Sequence, residues 1–274
     1  MKRRPLIAVA VTAAIVAAPL STAGCSTSSR TTLTTKSPSV PVMSSQLWSA
    51  AAPTSTDPSR PVTYSSQVVL PFGDNINHLS GLAVDTADNV YVLDHYYGQV
   101  WKQAPGASRL TTLAFKDIGQ PVDVTVDNGG NLYVTDVLEN RVLKLAPGVS
   151  SPTALPFTDL NQIAGVAVDT ADTVYVADSG ANRVLKLAPD ASSPIVLPFT
   201  DLNQIAGVAV GTADTVYVAD FGANRVLKLA PDASSPTVLP LTDLNKPSTV
   251  AVDTAGDVYV LDEGNFRVLK LPAR

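Results

Sequence analysis

This 274-residue chain contains two histidines, His78 and His95. With Glu263 they make a histidine–carboxylate set that could hold a metal ion, because imidazole nitrogens and a carboxylate suit a divalent transition metal. The set is sparse. Metal-assisted elimination or hydrolysis needs several ligands and a general acid or base converging on one cleft. No Gly-rich phosphate cradle and no nucleophile elbow occurs in the chain. The residues therefore predict no catalytic group, no cofactor and no resident metal, with a metal site near His78 and His95 as the alternative.

A second set of reactive residues recurs with strict spacing. Asp94, Asp136, Asp178, Asp220 and Asp262 are each 42 residues apart, and Arg141, Arg183, Arg225 and Arg267 follow four of them, with Gln99 in the fifth place. A group present in every unit is more economically explained as architecture than as catalysis. Each Asp is expected to cap a loop by accepting backbone N–H groups, and each Arg to tie loops or adjacent units together through charge-assisted bonds.

The elements that must position these residues follow from the same period. Tyr91, Tyr133, Tyr175, Tyr217 and Tyr259 keep the 42-residue spacing, which defines five units without insertions. Each unit holds four short Val-rich runs bounded by Asp, Gly, Asn, Pro and Ser; in the third unit they are GVAVD, TVYVAD, RVLKLA and IVLPF. Such runs are strands joined by tight turns, and none is long or periodic enough for a helix. Four-stranded sheets of this length stacked around an axis make an all-β fold, the β-propeller. Five blades are expected, with six as the alternative. The segment QVVLPF, Gln67–Phe72, precedes unit one and matches the fourth-strand pattern. It is expected to complete the last blade and close the ring, so that no strand edge is left open.

Units three and four are near copies. Between Gly165–Pro194 and Gly207–Pro236 two positions differ: Asp169 becomes Gly211, and Ser179 becomes Phe221. The first change falls in the turn between the first two strands and reads as neutral, since Gly is easily accommodated there. The second falls where the units diverge. The residue after the repeated Asp reads His95, Val137, Ser179, Phe221 and Glu263, and the residue before the first strand reads His78, Gln120, Gln162, Gln204 and Lys246. Both sets belong to loops on one face of the disc. Candidate ligand-binding residues on that face are His78, His95, Tyr96, Tyr97, Phe221, Glu263 and Phe266. Tyr offers contact area and a polar tip at low entropic cost. Trp101 replaces a repeated Leu and is expected to pack at the core or blade rim.

The first part of the chain has a different character. Lys2, Arg3 and Arg4 precede an apolar stretch, Leu6–Leu20, followed by STAGC ending at Cys25, the only cysteine. This resembles a bacterial lipoprotein signal peptide, residues 1–24, with Cys25 as the lipidated residue. Residues 25–65 are rich in Ser, Thr and Pro and read as a flexible tether, and residues 66–274 as the propeller. Net charge is -5 with a pI of about 4.9, so nucleic acid is not an expected partner.

The pattern GVAVD…VYVAD…NRVLKL resembles the NHL repeat, over roughly Gln67 to Leu271. It is similar to the extracytoplasmic sensor domain of PknD-type receptor serine/threonine kinases, although no kinase motif is present. That resemblance implies an exported, non-catalytic binding module. It would sit lipid-anchored on the outer side of the bacterial cytoplasmic membrane, and would recognise a protein or cell-envelope ligand, as a monomer. NHL-type lyases and streptogramin-lyase-like propellers share the architecture, which implies a metal-dependent lyase as the alternative.

Overall fold

A computed structural model of the chain describes residues 79–115 and 118–273. His78, Cys25, the tether and the proposed closing strand Gln67–Phe72 lie outside the described residues. The chain is a five-bladed β-propeller. Blade one consists of β1 (Leu79–Val84), β2 (Val90–Asp94), β3 (Gln99–Gln103) and β4 (Thr111–Thr112). Blade two consists of β5 (Pro121–Val126), β6 (Leu132–Asp136), β7 (Arg141–Leu145) and β8 (Thr153–Ala154). Blade three consists of β9 (Ile163–Val168), β10 (Val174–Asp178), β11 (Arg183–Leu187) and β12 (Ile195–Val196). Blade four has β13 (Ile205–Val210), β14 (Val216–Asp220), β15 (Arg225–Leu229) and β16 (Thr237–Val238), and blade five has β17 (Pro247–Val252), β18 (Val258–Asp262) and β19 (Arg267–Leu271). Each blade is an antiparallel meander, and blade five contributes three strands from the described residues.

The register explains the repeat. Tyr175 faces Lys186, and Asp178 faces Arg183 across the β10–β11 pair. The equivalent pairs recur in the other blades. The Lys ammonium lies over the Tyr ring at 5.1 to 5.9 Å in all five blades, a cation–π contact that also covers the ring with the aliphatic stem. Alternation then divides each blade into two apolar faces. Tyr133 and Val142 of blade two pack on Val166, Val176 and Leu185 of blade three. Comparable clusters join blades one and two, three and four, and four and five. The inner strands crowd the axis: a Cβ on Gly207 would stand 3.2 Å from the Ser248 carbonyl oxygen, so a side chain there would displace the neighbouring backbone.

The fourth strand is shorter than the pattern suggests. In IVLPF Ile195 and Val196 pair with β11, and the Leu197 N–H bonds the Val184 carbonyl at 2.9 Å. The Phe199 N–H then bonds the Leu197 carbonyl at 2.8 Å, a tight turn centred on Pro198. Proline has no N–H to give a ladder, and its φ suits that turn. The same turn precedes Phe157 and Leu241, and it swings Phe157 and Phe199 into the inter-blade clusters.

The Asp169-to-Gly211 change is not neutral in the structure. Asp169 accepts the N–H groups of Ala171 and Thr173, each at 2.9 Å, and the Tyr175 hydroxyl at 3.0 Å. Asp85 and Asp253 make the same three kinds of bond, and Asp127 bonds Asn131 N–H and the Tyr133 hydroxyl. Burial and then the Asp85 hydrogen bond push the Tyr91 hydroxyl pKa well above its ordinary range, and burial and then Asp127 do the same for Tyr133. For Tyr217 burial alone raises it. Gly211 itself is extended, at φ -101°, and needs no glycine. Without the carboxylate its turn becomes a short 3-10 segment, Thr212–Asp214, with both Ala213 and Asp214 at positive φ. Asp169→Gly should therefore cost about 1–3 kcal/mol, read as a lower urea midpoint with unchanged slope. A midpoint equal to the parent's would show that these bonds contribute nothing net.

Candidate binding face

Loops between the second and third strands of each blade lie beside the segment that leads into the first strand. The Gly180 N–H bonds the Asn161 carbonyl at 2.7 Å, and the Asn161 N–H bonds the Asp178 carboxylate at 2.8 Å. The repeated Asp carboxylates are fully buried and hold this face together. Asp178, Asp220 and Asp262 each accept an Arg Nε–H at 2.7 to 2.8 Å, and Asp136 accepts Arg141 at 3.1 Å. The arginines reach the connection from the preceding blade: the Arg183 guanidinium donates to the Asp159 carbonyl, between β8 and β9, and that of Arg225 to the Asp201 carbonyl, between β12 and β13, each at 2.6 Å. The arginines thus tie loops together, as the sequence suggested, and asparagines add a tie to the next blade. The side-chain oxygens of Asn140, Asn182 and Asn224 accept the N–H groups of Gln162, Gln204 and Lys246, at 2.6 to 2.7 Å. Burial pushes the Asp262 carboxyl up, but bonds from Asn265, the Asn245 N–H and Arg267 outweigh it and hold the pKa below the ordinary range.

The candidate residues divide into two groups on this scaffold. His95 is a structural tie. Its Nδ1 is 3.1 Å from the Pro121 carbonyl and its Nε2 is 2.9 Å from the Gln120 side-chain nitrogen, both in blade two. Phe221 is half-buried, with the Lys246 ammonium of blade five 5.8 Å from its ring centre; the next blade covers it. Tyr96 and Tyr97 are 69% and 57% exposed and meet edge to face at 5.2 Å. Their N–H groups, at 3.1 and 3.0 Å, bind Asp94, which fixes the loop while leaving the rings outward. Phe266 is 95% exposed in the left-handed region, at φ 52°. It stands where Asn140, Asn182 and Asn224 make the inter-blade tie, so it combines an exposed ring with a backbone conformation that bulky residues rarely adopt. Glu263 is half-buried, and among the described residues its Oε2 has no hydrogen-bond partner. Among the described residues no group of three or more His, Cys, Asp or Glu side chains is placed to hold a metal.

Two features were not anticipated. Asp123 is fully buried on inner strand β5, where other units carry Gly or Thr, and its carboxylate accepts the Val166 N–H of the next blade at 2.9 Å. Aligning the units would have exposed it, as Gly81, Asp123, Gly165, Gly207 and Thr249 share one place. On the opposite face, a cavity of about 300 Å³ is lined by the first turns of blades two to five, including Asp127, Asp169, Gly211, Asp214 and Asp253. The carboxylates of Asp127, Asp169 and Asp253 are engaged by their own turns, as described above.

The NHL repeat family matches residues 160–187 and 244–271. No curated protein matches it in sequence. Among solved structures, it is similar to a chain of the nidogen/laminin complex, with a TM-score of 0.64 and 20% identity over 71% of this chain and 75% of that one. It is also similar to virginiamycin B lyase from Staphylococcus aureus, with a TM-score of 0.58 and 11% identity over 72% and 70%. A gluconolactonase from Xanthomonas campestris gives a TM-score of 0.58 and 17% identity over 71% of each chain. At these identities the likeness establishes the propeller fold alone, which is shared by binding proteins and enzymes.

Proposed function

We propose that this NHL propeller is an exported, lipid-anchored binding module, whose variable face recognises a protein or cell-envelope ligand without catalysis. The observation that carries this reading is the contrast on that face. Its repeated Asp–Arg pairs and His95 hold loops, while its exposed large apolar side chains are the aromatics Tyr96, Tyr97 and Phe266, with Leu138. Aromatic anchors with a polar tip are what interfaces use for most of their binding energy. A lyase reading would need His95 as ligand or base, and both its ring nitrogens are engaged with blade two. The sensor domains of PknD-type kinases, to which the repeat is similar, supply the proposed role. The test is capture from a cell-envelope extract with the full chain. A partner whose retention survives loss of His95 but not of the exposed aromatics supports the reading. Substrate turnover abolished by His95→Ala, with the fold intact, would overturn it in favour of the lyase.

The anchor is tested separately. Cys25→Ser should release the protein from the membrane fraction or leave its signal segment uncleaved. Stable anchoring needs more than one acyl chain or an additional signal, so loss of the acylated cysteine should shift most of the protein. Unchanged partition together with normal cleavage would rule out lipidation at Cys25.

A further inference from the structure

Four of the five blades close the same electrostatic socket, and one does not. In blades two to five the buried Asp beside the second loop takes an Arg at 2.7 to 3.1 Å. Those arginine side chains keep 28% to 40% of their surface exposed, so each socket opens to solvent at its mouth. In blade one the register is the same, with Asp94 opposite Gln99, but the partner is a neutral amide. Asp94 is fully buried, and among the described residues its Oδ2 has no hydrogen-bond partner, Gln99 included. A buried carboxylate oxygen left without a donor is costly. It persists here directly beneath the loop carrying the exposed Tyr96 and Tyr97 rings.

Resting on the reading of this face as a binding surface, the geometry points to blade one as a receptor for a guanidinium group, the side chain of an arginine in the partner. Gln matches Arg only as far as the ε nitrogen and lacks Cζ, both Nη groups and the positive charge, so the substitution removes the cation that the sister blades supply internally, and the Gln99 amide does not donate to the carboxylate oxygen left in place. An incoming arginine would donate to Asp94 Oδ2 as Arg183 does to Asp178. The two tyrosine rings at the mouth would add cation–π contact and cover the aliphatic stem. In the sister blades the guanidinium donates to the carboxylate and to a backbone carbonyl at once, a forked geometry that an ammonium group does not reproduce.

The test uses N-acetyl-arginine-N-methylamide as probe on the full chain, with the citrulline and lysine analogues as controls, followed by calorimetry or amide chemical shifts. Citrulline has the shape of arginine without the charge. The expected result is saturable binding of the arginine probe, about tenfold or more tighter than citrulline and weakened by salt. Gln99→Arg rebuilds the internal pair of the other blades. It should abolish probe binding and raise the melting temperature, which separates an occupied socket from a misfolded one. Asp94→Asn should abolish binding as well. Equal binding of arginine and citrulline, undiminished binding by Gln99→Arg, or no saturation below about 10 mM would overturn the inference. A captured partner lost on replacing Tyr96 and Tyr97 but kept by Gln99→Arg would also overturn it, while leaving the binding-face reading intact.

Discussion

Asp178→Ala should lower stability by about 3–5 kcal/mol, a large share of the 5–15 kcal/mol usual for a domain. The carboxylate is fully buried and holds both the Asn161 N–H and the Arg183 Nε–H. Truncation therefore leaves a guanidinium and a backbone donor without their acceptor, and it releases the loop that leads into β9. Asp94→Ala makes a natural comparison. Asp94 caps two N–H groups but has no arginine, so its loss should cost less. Urea unfolding of the two variants side by side reads the difference. If Asp178→Ala keeps the parent's stability and instead loses the captured partner, the repeated Asp–Arg pairs form the binding site, and the assignment of scaffold and surface is reversed.

Replacing Tyr96 and Tyr97 together by Ala should have the opposite signature. Truncating an anchor residue in a well-packed interface costs about 2 kcal/mol or more, so the pair should weaken the captured partner by at least about two orders of magnitude. Stability should hardly move, since the rings are mostly exposed and the loop is held to Asp94 by backbone N–H groups that Ala retains. The experiment pairs a competition binding curve with a melting scan on the same preparation. Full retention of binding would remove the tyrosines from the interface, and a large drop in melting temperature would make them structural.

Much of the architecture was legible before any coordinates. The 42-residue period, the strand-like runs and the unbroken spacing of Tyr, Asp and Arg specify five repeated sheets, because each blade reuses one local pattern and one register. The division into a constant scaffold and a divergent face could also be read by comparing units. Local signals failed where a contact crosses between strands or blades. IVLPF reads as one strand, yet Pro198 ends the ladder after Leu197 and turns Phe199 into the next interface.

The same limit governs the candidate site. His95, Phe221 and Tyr96 occupy loops of one type, and their sequence neighbourhoods do not distinguish them. Packing does: blade two takes both nitrogens of His95, Lys246 of blade five covers Phe221, and the ring of Tyr96 is left mostly exposed. Residue type and period establish which groups exist and how often, since strand pairing is a short-range consequence of the pattern. Whether a group is spent on a neighbour or left for a ligand depends on the adjacent blade, about 42 residues away in the chain. The unpartnered oxygen of Asp94 became visible only when the five folded blades could be compared as copies of one another.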